Sequence, residues 1–286
     1  MESRGPSRTA VLSAMLRAAH YLFDGAPKVL TDPFARHFAG FASDEEVRKA
    51  LDALALRDLS RLRTAFAVRS RYAEDELSVA IQHGISQYII LGAGLDSFAY
   101  RRPDLMRALQ VYEVDHPATQ SWKRARLREL GIKSPPTLHH VPIDFEQATL
   151  ISGLAAGGVN RNAKAFFSCL GVTQYLPRDV VLNTLREIAS ATAPRTELVV
   201  QFIVPAATLS PEEGNLVTAA AAAAASMGEP WLSFFDPEDL ETNMTEIGFE
   251  QIVHFGAEEA TERYLLGRSD GLTLPDYFRM IKACVG

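Results

Sequence analysis

The run Tyr88-Ile89-Ile90-Leu91, followed at once by Gly92 and Gly94, constrains the fold more than any other stretch of the chain. Four consecutive apolar residues stopped by glycines describe a strand buried on both faces, and such strands belong to parallel sheets covered by helices. Val111-Tyr112-Glu113-Val114-Asp115 reads as the next strand, 138–144 as a third, 165–172 as a fourth and 197–204 as a fifth. Helices fit between them at 117–130, where Pro117 sits in the first turn and its missing N–H costs nothing, and at 178–191. Strands alternating with helices at this spacing predict an α/β fold built on a doubly wound, mostly parallel sheet.

Both ends depart from that alternation. Ser43-Asp44-Glu45-Glu46 carries a capping-box pattern, and an amphipathic series through Leu51, Leu54, Leu59, Leu62 and Phe66 runs on to a stop at His83-Gly84. The organisation expected is therefore a helical N-terminal extension over residues 1–84 and a sheet domain over 85–286. Near the other end, Asp236-Pro237-Glu238 opens a short helix ending near Gly248, and 249–255 and 263–266 read as the two strands of a terminal hairpin. The alanine run 219–225 predicts a helix packed closely against a neighbour, since alanine has the best helix propensity.

A net charge of −6 gives no ground for a nucleic-acid or anionic-membrane partner. No apolar run reaches the roughly 18 residues of a membrane span. Arg4 and Arg8 are not followed by a signal-peptide core, so cytoplasmic residence is the expectation. The two cysteines, Cys169 and Cys284, make neither a disulfide framework nor a metal-ligand spacing, and no metal is expected.

Gly92 and Gly94 let backbone approach a ligand where a Cβ would clash, at the carboxyl end of a parallel strand. Alone, that loop fits an ordinary tight turn equally well. Asp115 ends the second strand about 20 residues beyond Gly94, the interval of a carboxylate that accepts from ribose hydroxyls; its other reading is a cap for the following helix. Glu113, two residues earlier on the same face, either shares the ribose role or pairs with a cation. Asp144-Phe145 closes the third strand, where the aspartate accepts from an adenine amino group and the ring packs against the base. Three such sites at the carboxyl ends of three successive strands point to a nucleoside ligand.

The run Gln87-Tyr88-Ile89-Ile90-Leu91-Gly92-Ala93-Gly94-Leu95-Asp96-Ser97-Phe98-Ala99-Tyr100-Arg101 resembles the signature of the leucine carboxyl methyltransferase family. Within it, the resemblance is to the bacterial branch of S-adenosylmethionine-dependent O-methyltransferases. Further matches are Thr31-Asp32-Pro33-Phe34-Ala35, Val111 to Pro117 with Lys123 downstream, Gly171-Val172-Thr173-Gln174-Tyr175-Leu176-Pro177 and Gly228-Glu229-Pro230-Trp231. The resemblance implies a class I methyltransferase (Rossmann-like) fold: a seven-stranded, mostly parallel sheet with one antiparallel strand, preceded by helices that help close the site. It implies S-adenosylmethionine as cofactor. Arg69, in Val68-Arg69-Ser70-Arg71, matches the family arginine that binds the cofactor carboxylate, a planar anion suited to a bidentate guanidinium. Arg71 and Arg17 are the fallbacks. The cofactor-binding set so implied is Arg69, Gly92, Ala93, Gly94, Asp96, Glu113, Asp115, Asp144, Phe145 and Ser168.

One departure limits the substrate. Members that methylate a protein C-terminus carry an acidic residue in the fourth-strand motif, whereas Phe166-Phe167-Ser168-Cys169-Leu170-Gly171 has none. Backbone around Ser168 and Cys169 is then expected to hold the methionine end of the cofactor. The expected reaction is O-methylation of a small-molecule carboxylate or hydroxyl. A carboxylate needs no base, while a hydroxyl benefits from one, for which His116, His140 and Tyr175 are candidates. His139 and His140 face opposite ways on a strand and make a poor metal pair. Trp231, Phe234 and Phe235 belong either to an acceptor pocket or to plain core. Three other readings stay open. An NAD-dependent oxidoreductase shares the glycine loop but not a third glycine, Ser97 standing there. A non-catalytic nucleoside-cofactor-binding protein shares the whole pattern. A nucleic-acid methyltransferase fits poorly with the acidic balance.

Overall fold

The computed structural model describes residues 7–54, 59–143 and 149–286. Among the described residues four helices precede the first strand: α1 (Arg8–Phe23), α2 (Ala35–Phe38), α3 (Asp44–Ala53) and α4 (Leu59–Gln82). After β1 (Gln87–Leu91) come α5 (Phe98–Arg101), α6 (Pro103–Met106), β2 (Gln110–Asp115), α7 (Pro117–Glu129) and β3 (Leu138–Pro142). There follow α8 (Leu150–Ala156), β4 (Ala165–Cys169), α9 (Arg178–Ala191), β5 (Glu197–Ile203), α10 (Pro211–Ser226) and α11 (Pro237–Ile247). The chain ends with β6 (Phe249–Phe255), α12 (Ala257–Ala260) and β7 (Phe278–Val285).

The strands form one seven-stranded sheet in the order β3-β2-β1-β4-β5-β7-β6, with β7 antiparallel to both neighbours and the pairs among β1 to β5 parallel. This is the sheet the resemblance implied. The chain steps outward from β1 to β3 and then crosses back to β4, so the strand order reverses beside β1. That reversal opens a crevice at the carboxyl ends of β1 and β4, where open α/β sheets take their ligands.

The period of two along β1 divides the core. Tyr88 and Ile90 enter the layer shared with Val68, Tyr72 and Leu77 of α4, while Ile89 and Leu91 enter the layer with Val181, Leu185 and Ile188 of α9. α4 therefore packs as part of the sheet's own helical layer. A third cluster joins α1, α2 and α3 through Leu16, Phe38 and Val47 to Leu95 of the glycine loop and Leu127 of α7. The helical segment thus presses directly on the loop after β1.

Local signals place the elements well. Ser43 Oγ accepts from Glu46 N at 3.2 Å, while the Glu46 carboxylate reaches Ala42 N at 2.8 Å, one residue before the partner a full capping box would use. The series expected to run on to Gly84 is broken at Leu54, the C-cap of α3, and α4 is described from Leu59. Gly84, at φ +87°, follows the end of α4. Asp236 caps α11 through the N–H groups of Glu238 and Asp239, and Gly248 at φ +110° ends it. The alanine run lies within α10, which runs from Pro211 to Ser226.

Three expectations are corrected. The strand expected at 263–266 is a π-helical turn, Thr261–Leu265. There Arg263 pairs with Glu76 of α4 at 2.7 Å and Tyr264 donates to Asp75 at 2.9 Å, so the segment is fastened to a helix and not to the sheet. The hairpin partner of β6 is β7, whose central place between β5 and β6 buries both of its faces and erases the polar alternation of a hairpin strand. β4 stops at Cys169, three residues short, because the chain turns at Gly171 with φ +73°.

Candidate functional site

A cavity of about 650 Å³ sits over the carboxyl ends of β1, β2 and β4. Its floor is the loop 92–96. At Gly92, φ is +63° and a Cβ would stand 2.2 Å from Val172 Cγ2, so glycine is required there by conformation and packing together. At Gly94, φ is +50° and a Cβ would stand 3.3 Å from Ala10 Cβ of α1. Ala93 donates from its N–H to the Val114 carbonyl at 3.0 Å, tying the loop to β2.

Asp115 lines the cavity and accepts from the N–H groups of Gly94 and His116. Burial raises its carboxyl above the usual range, with those two N–H groups working against the rise. The helix cap of α7 falls instead to His116, whose Nδ1 accepts from Ala118 N at 3.2 Å. Asp96 also lines the cavity, with Oδ1 taken by Phe98 N at 2.6 Å.

The opposite wall comes from α1 and α4. Arg69 is buried, its Nη2 donates to Ser13 Oγ at 2.8 Å, and its guanidinium lies 4.0 Å over the Phe66 ring. Gly171 lets it in, since a Cβ there would stand 2.5 Å from Arg69 Nη1. No carboxylate among the described residues pairs with Arg69. Burial, reinforced by the neighbouring Arg17, pulls its pKa down to about 9. It is a buried cation that lacks an anion, inside a cavity.

Neither fallback arginine matches that. Arg71 pairs with Asp75 at 2.9 Å on the outer face of α4. Arg17 lines the cavity but is consumed by Asp32 at 3.0 Å, Ser13 at 3.0 Å and the Leu95 carbonyl at 2.7 Å.

Two residues of the implied set lie elsewhere. Glu113 does not line the cavity: it is buried, with Lys123 Nζ at 2.7 Å and His140 Nδ1 at 3.5 Å. Burial works to raise its carboxyl, and Lys123 with His140 overrides this and holds it below the ordinary range. Of its two readings, the pairing with a cation is the one observed. Ser168 is buried with Oγ on the Tyr88 hydroxyl at 2.9 Å, and burial raises the Cys169 thiol to about 12 on the far face of the sheet. The fourth-strand wall is built instead by Leu170, Gly171 and Val172, beyond the strand's end. Asp144 and Phe145 lie outside the described residues; Ile143 beside them lines the cavity. Among the candidate bases, His140 stands on β3 beside Glu113 of β2 and does not line the cavity, whereas His116 and Tyr175 do.

Sequence reasoning missed the clasp over the mouth. Glu229 accepts from Ser7 Oγ at 2.7 Å, from Arg8 N at 2.8 Å and from Thr9 Oγ1, so the first turn of α1 holds a carboxylate from the segment after α10. The only trace in the sequence was Gly228-Glu229-Pro230-Trp231, matched without a role.

A second cavity of about 580 Å³ adjoins the first. Thr9, Leu12, Phe66, Arg69, Gln174 and Tyr175 line both. Of the three aromatic candidates, Trp231 lines this second cavity, Phe234 packs on Trp231 at 6.2 Å between ring centroids, and Phe235 is buried core. Among the described residues no cluster of three or more His, Cys, Asp or Glu could hold a metal, and no helix is long and apolar enough to cross a membrane.

The sequence profile described as leucine carboxyl methyltransferase matches residues 10–189, which take in most of the residues lining the first cavity, though not Ser7, Thr9 or Glu229. The chain belongs to this family. A Bacillus subtilis (strain 168) protein named "Putative S-adenosyl-L-methionine-dependent methyltransferase YktD" is 33% identical over 215 residues, 75% of this chain and 70% of its own length. A solved "putative methyltransferase" from Thermobifida fusca YX shares the fold with a TM-score of 0.61 at 19% identity, covering 98% of this chain and 95% of the other. Magnesium protoporphyrin IX methyltransferase from Synechocystis PCC 6803, solved with bound S-adenosylhomocysteine, is similar at a TM-score of 0.50 and 12% identity, covering 88% and 92% of the two chains. The cofactor is thus S-adenosylmethionine and the reaction a methyl transfer, which sets aside the NAD-dependent reading.

Proposed function

We propose that the chain methylates an oxygen, carboxylate or hydroxyl, of a small molecule, with no nucleic-acid partner. The observation that carries this is the junction of the two cavities, where Tyr175, Gln174 and Arg69 face both. A cofactor in the first cavity and an acceptor in the second would meet there. S-adenosylmethionine supplies the activated methyl group, so the protein's task is to align an oxygen with it and exclude water.

The residues present fit the cofactor. Arg69 offers an unpaired guanidinium for its carboxylate, and that anion would relieve the buried charge. Asp115 would accept from the ribose hydroxyls while its N–H partners keep the loop in place. Gly92, Ala93 and Gly94 give backbone access, and Asp96 lies beside them on the cavity wall. The helical segment 1–84 would close the site, held through Ser7 and Thr9 on Glu229. A carboxylate acceptor needs no base at the junction; for a hydroxyl, the candidate is Tyr175, which lines both cavities where His116 lines the first.

The test is methyl transfer from labelled S-adenosylmethionine to a panel of carboxylic acids and phenols, followed by mild base. Label in an ester released by base, or in a base-stable aryl ether, is the expected result. Label found only on nitrogen or carbon, or only in added RNA or protein, overturns the proposal.

A further inference from the structure

We infer that the second cavity selects an apolar, ring-bearing acceptor of drug-like size that carries no phosphate; this rests on the O-methyl transfer proposed above. Its volume of about 580 Å³ lies within the range of pockets that enclose such molecules. The alanine run makes that room. Leu216, Ala220, Ala223 and Met227 fall on one stripe of α10, and all four line the cavity. Larger residues at the two ends of the stripe bracket a stretch of bare helix backbone and methyl groups, so the wall is set back where the alanines lie.

The remaining walls are apolar and aromatic, with Phe66, Ile203, Trp231 and Phe278 facing the space. A flat ring system fits between such walls better than a flexible polar chain, because aromatic faces gain from stacking beyond their buried area. Charge is scarce. Arg61 gives its Nη2 to Glu213, whose other oxygen accepts from Asp276 N at 2.9 Å, while its Nε has no partner; Glu212 adds a second carboxylate to the lining, and Arg69 is the group proposed above for the cofactor's carboxylate. Among the described residues lining the cavity, that leaves no cation whose charge is uncompensated for a phosphoryl group. Besides Thr9, Tyr175, Asn215 and Tyr277, the polar lining includes two unmet groups: Gln174, 5% exposed, has an Oε1 with no hydrogen-bond partner, and Trp231 Nε1 is likewise without one. Such atoms are costly until an acceptor brings a matching donor or carbonyl. Gln174 lines both cavities, so its match would sit next to the reacting oxygen.

The test is a fluorescence titration of 2-naphthoate into the S-adenosylhomocysteine complex of three proteins: the parent, Ala220→Phe and Ala222→Phe. Ala222 is exposed and does not line the cavity, so it controls for the substitution itself. Saturable binding to the parent and to Ala222→Phe is expected, weakened at least tenfold in Ala220→Phe, with S-adenosylhomocysteine affinity equal in all three. Acetate and inorganic phosphate should not displace the probe. No saturable naphthoate binding to a complex that holds S-adenosylhomocysteine overturns the inference, as does equal binding to Ala220→Phe. Binding of a leucine-terminated hexapeptide to parent and Ala220→Phe alike would place the acceptor outside this cavity and also overturn it. A chain that binds no S-adenosylhomocysteine defeats the underlying reading instead.

Discussion

Replacing Arg69 with methionine should abolish useful cofactor binding while leaving the unliganded protein at least as stable as before. The two effects have opposite signs because Arg69 is a buried cation with no carboxylate among the described residues at ion-pair distance. Truncating one partner of a buried charge pair costs about 2–5 kcal/mol of binding. On the scale of 1.4 kcal/mol per decade, that is roughly 30-fold to several-thousand-fold in S-adenosylmethionine affinity. In the unliganded protein the same change removes an uncompensated charge, and methionine fills much of the volume over Phe66. Arg69→Lys should recover little affinity, since a point charge does not reproduce the planar fork that meets a carboxylate. Calorimetric titration and urea unfolding on the same samples check both signs. Unchanged affinity would move the carboxylate to another group and leave the buried cation without a purpose.

Asp32→Asn should destabilise the fold by about 3–5 kcal/mol, the cost of breaking a buried ion pair and stranding its partner. Asp32 is almost fully buried, and Arg17 of α1 meets it at 3.0 Å, the Ser97 hydroxyl at 2.6 Å and the N–H of Ala35 at 3.0 Å. Arg101 lies 3.9 Å away and passes the network on to Glu74 of α4. This set locks the helical segment to the loop after β1. Burial works to raise the Asp32 carboxyl, and Arg17, Arg101 and Ser97 override it and hold it below its ordinary value. Its contribution is therefore present above the pKa of the unfolded chain and lost as pH falls through the lower folded value. Acid unfolding of the parent should be steeper than that of Asp32→Asn. Equal midpoints and equal acid limbs would show that the network carries no stability.

That network also explains what could and could not be read from the sequence. The strand, the glycine loop and Asp115 were legible because each rests on local chemistry: a buried run, two left-handed glycines and a carboxylate at a strand end. The rest of the matched run, Ser97 to Arg101, is mostly scaffold. Ser97 and Arg101 serve Asp32 and Glu74, and Phe98 packs on Tyr88 at 4.9 Å. Their partners lie 27 and 65 residues away in sequence, which no spacing rule reaches. For Glu113 the sequence left a choice between ribose and a cation, and the cation that holds it, Lys123, comes from the next helix. Ser168 was lost in the same manner to Tyr88. At the far end, β7 escaped notice because a strand paired on both edges and buried on both faces shows no alternation, whereas the short apolar stretch 264–266 imitated one.

The central claim is that the cavity over β1 and β2 is an S-adenosylmethionine site built on Arg69, the glycine loop and Asp115. Isothermal titration of S-adenosylhomocysteine into the parent and into Asp115→Ala tests it most directly, with NAD(H) as the control ligand. The parent should bind one S-adenosylhomocysteine per chain and give no heat with NAD(H). Asp115→Ala should lose about 1–3 kcal/mol, the range for hydrogen bonds to ribose left unmade. Binding of NAD(H) in place of S-adenosylhomocysteine, or an Asp115→Ala affinity equal to that of the parent, would contradict it.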